Sequence, residues 1–203
     1  AGLPCGGARA AEAPVDPALW RALVSQASDC GSEARIELVN AVVNRWLEPC
    51  EEPQRLEWPT PGEALQRGQG DCRAFAILKF FTLLAAGQPA DDVRVLYTVL
   101  QRRATPGLQR PHLVAWARDG VSEPRVLDNL NPFTQPLSLR PDLRPVFSLD
   151  TQHLRRGADE AIDRPAAVLR PWREMLERRA REPDQSLVDT SSTRPVRALS
   201  SQR

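Results

Sequence analysis

From Asp71 to Ala86 the chain carries Phe75, Ala76, Ile77, Leu78, Phe80, Phe81, Leu83 and Leu84, which would cover most of a helix's circumference. A helix that is apolar nearly all round has to be buried, so the rest of the chain must wrap it. Asp71 is placed to cap its start and Gly87 to stop it. Immediately before it, Gly68-Gln69-Gly70 forces a turn. This central helix limits the fold to architectures that enclose one helix on all sides.

The flanks say what encloses it. Asp16-Pro17 pairs a cap with a proline at the first helical position, predicting a short helix to about Ser25. Ser32 is expected to cap a longer helix whose Ile36, Val39, Val43, Trp46 and Leu47 form one buried stripe, closed by Pro49. Thr60-Pro61-Gly62-Glu63 is a capping box for a short helix to about Arg67. After Gly87 the pattern changes. Val93–Leu100, His112–Ala117 and Arg125–Asp128 are rich in strand formers, and Arg118-Asp119-Gly120 is a turn signal between the last two. Val146-Phe147-Ser148 is predicted as a last strand, and 165–181 as a helix interrupted by Pro171. At 203 residues the chain is long enough for one domain. The expected extent of that domain is 16–181, between a flexible leader at 1–15 and a disordered tail at 182–203.

Charge excludes some functions. With 27 basic and 26 acidic side chains the net charge is +1, giving no general pull toward nucleic acid or anionic membrane. No apolar run is long enough to span a bilayer. The start at Ala1 rather than Met fits a mature secreted product or a trimmed chain. The four cysteines include no C-x-x-C pair and there are only two histidines, which argues against structural zinc. In an oxidising compartment Cys30 and Cys50 could bridge, leaving Cys5 loose, although spacing alone does not establish it.

Cys72 sits at the first turn of the buried helix, where unpaired amides and the helix dipole favour a thiolate and can bind an oxyanion. Alone, it reads more readily as a buried structural cysteine. A hairpin pairing symmetrically about Gly120 would set His112 opposite Asp128, an imidazole beside a carboxylate that orients it. The bland alternative is a cross-strand polar pair without chemistry. His153 falls in a polar stretch and is expected at the surface. The basic stretch from Arg102-Arg103 to Arg110 is either a solvated loop or a border of the cleft that selects acidic residues.

The string GDCRAFAILKFFTL at 70–83, then PHLVAWA at 111–117 and VLDNLNP at 126–132, resembles the bacterial transglutaminase-like cysteine proteinases of the LapG type. Val39 to Asn44, Trp58 to Pro61 and Arg140 to Val146 match in the same order. The resemblance implies an α+β domain of papain/transglutaminase-like fold, with N-terminal helices and a buried Cys-bearing helix packed on an antiparallel sheet. It also implies a catalytic Cys72, His112 and Asp128, with the Cys72 amide and Trp58 near the oxyanion; Trp58 reads equally as a core aromatic. Members are periplasmic endoproteases that cut an adhesin and are held by an inner-membrane cyclic di-GMP receptor. The family usually reads Gly-Asp-Cys-Glu-Asp and binds calcium with those acids. Here the run is Gly70-Asp71-Cys72-Arg73-Ala74, so Asp71 alone survives and no cofactor is expected. Rival readings are a transglutaminase or amidase, and a non-catalytic binding module on the same fold.

Overall fold

The computed structural model describes residues 14–51, 56–101, 109–120, 122–158 and 161–182. Most of the expected leader, Cys5, Arg102-Arg103 and the tail from 183 lie outside the described residues. Four helices precede the sheet: α1 (Pro17–Ser28), α2 (Ser32–Trp46), α3 (Pro61–Arg67) and α4 (Cys72–Ala85). Between them, β1 (Glu48–Pro49) and β2 (Gln69–Gly70) make a short parallel pair. Then come β3 (Val93–Gln101), β4 (Gln109–Ala117), β5 (Arg125–Leu127), β6 (Gln135–Pro136), β7 (Leu143–Leu149), β8 (His153–Arg156) and β9 (Ile162–Pro165), before α5 (Arg170–Arg179).

Strands β3 to β9 form one antiparallel sheet in the order β6-β5-β4-β3-β7-β8-β9. Helix α4 lies against β4 and β3, and α1, α2 and α3 pack around it. Phe75, Ile77, Leu78, Phe80, Phe81 and Leu83 are all buried, as an all-round apolar helix requires. Truncating Phe80 to alanine there should cost about 3–5 kcal/mol.

The caps follow local chemistry. Asp16 Oδ1 accepts from the Ala18 amide, Thr60 and Glu63 form the reciprocal capping box, and Gly68 ends α3 in the left-handed region at φ 62°. Asp71 caps α4, accepting from the Arg73 amide at 2.9 Å. Gly70 is required by close approach: a Cβ there would lie 2.3 Å from the Ala74 Cβ.

Several expectations are corrected. Gly31, not Ser32, caps α2, because the Ser32 hydroxyl donates to Gln88 Oε1 instead. Pro171 does not interrupt the C-terminal helix but opens it, where a missing amide costs nothing. Val146–Ser148 belong to a longer strand, β7, which pairs β3 on one side and β8 on the other, so it is not last. Strands β8 and β9 escaped notice because their sequences, rich in arginine, show little apolar alternation. Cys30 is a free thiol bonded to the Gln26 carbonyl, whereas Cys50 is disulfide-bonded. The two flank α2, and a helix of 15 residues rises about 22 Å, far beyond disulfide reach.

Helix α5 braces the N-terminal half. Trp172 stacks on Phe81 and meets Trp58 edge-on at 6.0 Å, while Arg178 donates to the Trp58 carbonyl and to Glu63 Oε1.

Candidate active site

Cys72, His112 and Asp128 are brought together from three elements. Cys72 opens α4, held by the Asp71 cap and by the β1–β2 pair, in which the Cys50 amide donates to the Gly70 carbonyl at 3.0 Å. His112 lies within β4, and Asp128 follows β5 directly. The hairpin is not symmetric about Gly120. The ladder pairs Ala115 with Leu127 and Trp116 with Val126, which extends to set Asp128 opposite Val114 rather than His112. The connection is a wider loop than a tight turn, with Asp119 Oδ1 accepting from the Ser122 amide and Pro124 preceding the strand. His112 and Asp128 therefore meet across a diagonal, still on one side, with Nε2 2.8 Å from Oδ1.

That contact occupies Nε2, which leaves Nδ1 for the hydrogen bond between His112 and Cys72. Burial alone would lower the imidazole pKa. Hydrogen bonds to Asp128 and Cys72, and the charges of both, outweigh it and raise the value to about 9. Asp128 is wholly buried. Burial pushes its carboxyl up, but bonds from His112, from the Leu130 amide at 3.0 Å and from Arg140 Nη2 at 2.8 Å hold it well below the usual carboxylate range. Its backbone carbonyl accepts from Asn44 Nδ2 at 2.9 Å.

A cleft of about 480 Å³ opens over the group, lined by Trp58, Cys72, Tyr97, Arg110, His112 and Leu130 among others. Trp58 is both a cleft wall and a core aromatic, buried against Trp172. Arg110 belongs to β4 and reaches the cleft paired with Glu51 at 2.8 Å. His153 starts β8, about 3.4 Å from Asp150 Oδ1, and is partly exposed as expected of a surface residue.

Four residues near this group were not singled out from sequence. Arg140 binds Asp128, and Asn40 and Asn44 of α2 hold the carbonyls of Pro132 and Asp128. Lys79, fully buried in α4, donates to Asn40 Oδ1 at 2.8 Å, and burial lowers its pKa to about 7 against the pull of Asp128. A signal existed for three of them: the asparagines adjoin the apolar stripe of α2, and Lys79 is the chain's lone lysine, set inside an apolar run.

The residues at the nucleophile do not fit calcium. Asp71 Oδ1 accepts the Arg73 amide, and Oδ2 takes Arg73 Nε at 2.7 Å and Nη2. A guanidinium fills the side of the carboxylate that an ion would need, and calcium requires about six to eight oxygens. Among the described residues, no three His, Cys, Asp or Glu side chains cluster to hold a metal.

No family model matches the chain. No curated protein matches it either. Solved structures do. Legionella pneumophila LapG treated with EGTA aligns with a TM-score of 0.68 and 30% identity, covering 79% of this chain and 86% of that one. A second structure of Legionella pneumophila LapG gives 0.67 at 30% identity, covering 79% and 84%. The calcium-bound form gives 0.67 at 29%, covering 79% and 87%. The shared order of helices and antiparallel sheet, at this identity and over most of both chains, means that the chain belongs to the LapG-type family of transglutaminase-like cysteine proteinases.

Proposed function

We propose that this chain is a periplasmic cysteine endopeptidase that hydrolyses a secreted or cell-surface protein of the adhesin kind, without calcium, through residues 16–181. The observation that carries this reading is the unbroken sequence of contacts from Cys72 through His112 to Asp128 at one cleft. His112 takes the Cys72 proton, and the thiolate attacks a peptide carbonyl to give a tetrahedral oxyanion. The Arg73 amide is taken by Asp71, which leaves the Cys72 amide as an oxyanion donor. His112 then protonates the leaving amine. Water, deprotonated by the same imidazole, releases the acyl group as a carboxylate. Asp128 fixes the tautomer throughout.

Calcium independence rests on Arg73, whose guanidinium already neutralises Asp71. If the family's membrane receptor docks near the calcium region, Arg73 alters that surface, and regulation by a cyclic di-GMP receptor is the part of the family pattern most exposed to change. No helix among the described residues is long and apolar enough to cross a membrane.

The test is to incubate the protein and its Cys72→Ser variant with secreted and surface proteins of the source organism, with and without chelator, and to sequence new termini. New N-termini from the wild type alone, unaffected by chelator, are expected. Cross-links in place of termini would point to transamidation. No products, together with failure of a mild alkylator to label Cys72, would point to a binding module. Loss of cleavage on chelation, restored by calcium, would overturn the calcium reading.

A further inference from the structure

Asp128 has more cationic partners than orienting His112 requires. Its Oδ1 is shared by His112 Nε2 and the Leu130 amide, and its Oδ2 takes Arg140 Nη2 at 2.8 Å. Arg140 is itself buried. Asp142 braces it from the other side through Nε at 2.9 Å and Nη2 at 2.8 Å. A guanidinium does not shed its proton in proteins, so this is a permanent counter-ion.

We propose that Arg140 is a positioning residue for the hydrolysis, a fixed counter-ion that shares the Asp128 carboxylate and so keeps the His112 imidazolium acidic enough to give its proton to the leaving amine. The proposal rests on the catalytic reading of Cys72, His112 and Asp128. A buried carboxylate with one ionisable neighbour holds that neighbour's proton tightly, because little solvent screens the pair. Divided between two cations, it holds each less.

The other charged groups facing His112 do not substitute for Arg140. From α4, Cys72 is the proton's acceptor and donor. Lys79, also on α4, feels Asp128, but it is wholly buried and its ammonium is spent on Asn40. At the cleft, Asp71 is matched by Arg73 and Glu51 by Arg110. Asp142 is matched by Arg140 itself.

The chain has two histidines, so imidazole NMR follows His112 directly once His153→Gln removes the other signal. In Arg140→Met, the His112 titration midpoint should rise by about one pH unit and kcat should fall about tenfold near pH 7, with KM little changed. Arg140→Lys, which keeps a charge but loses the fork, should fall between. Should Arg140→Met fail to fold, Arg140→Gln, which keeps a hydrogen-bond donor without the charge, should give a rise of the same sign. A midpoint that is unchanged or lower in the folded variant overturns the proposal. The titration can be read on any folded protein. Absence of hydrolysis in the wild type would therefore sink the catalytic reading alone, and an unmoved midpoint would sink the role of Arg140 alone.

Discussion

The molecule contains two histidine–aspartate–arginine groups, and they serve different ends. In one, His112, Asp128 and Arg140 come from well-separated stretches of chain and are all buried. In the other, Asp150, His153 and Arg155 lie within one turn and strand. There Asp150 accepts the Gln152 and His153 amides at 2.7 Å each, pairs with Arg155, and stands 3.4 Å from His153. His153 has 38% of its side chain exposed, against 5% for His112. The local group shapes a turn and pins the start of β8. The dispersed group borders a thiol at a helix start. Residue types in proximity are therefore not enough to make a site; burial of the imidazole itself and a nucleophile held against it are what separate the two.

The largest expected difference between the groups is catalytic. His112→Ala or Cys72→Ser should lower kcat/KM by about a thousandfold or more, whereas His153→Ala should leave it within about twofold, since His153 does not line the cleft. Peptide hydrolysis by purified variants checks this, and equal losses at both histidines would erase the distinction. Next comes the carboxylate exchange. Asp128→Asn should cost about a hundredfold to ten-thousandfold in kcat. Asp150→Asn should instead cost about 1–3 kcal/mol of stability in urea unfolding, with turnover retained.

The smallest effect is the shape of stability against pH. His112 has a pKa of about 9 in the folded protein, against about 6.5 when unfolded. Its contribution is whole below the unfolded value and is lost as pH rises toward 9. Asp128 and Asp150 are both held below the carboxylate range, so their contributions are present above about pH 4 and are lost as pH falls. Against His112→Gln, the wild type should lose its advantage on the alkaline side. Against Asp150→Asn, it should lose it on the acid side. Urea midpoints across pH would show the two opposite slopes, and parallel curves would contradict them.

Much of this was legible because it is local. The caps at Asp16, Thr60 and Asp71, and the burial of α4, follow from neighbouring residues and helical period. The pairing of His112 with Asp128 was reached through a register that proved wrong by two residues, and the contact survived because a two-residue slip keeps side chains on the same side. Arg140 was quoted only within a longer string, since its role depends on bringing a turn after β6 back to the end of β5. The bridge between Cys30 and Cys50 failed for the same reason in reverse: nearness in sequence concealed the length of the helix between them.

The last consequence comes from α5. Trp58, one wall of the cleft, leans on Trp172, and its carbonyl is tied to Arg178. During synthesis, Cys72, His112 and Asp128 leave the ribosome well before those two residues do. A chain that has brought its sulfur and imidazole together thus still lacks the support of one bank of the groove until α5 docks. Stiffening of that wall waits for α5, an order set by position along the chain alone.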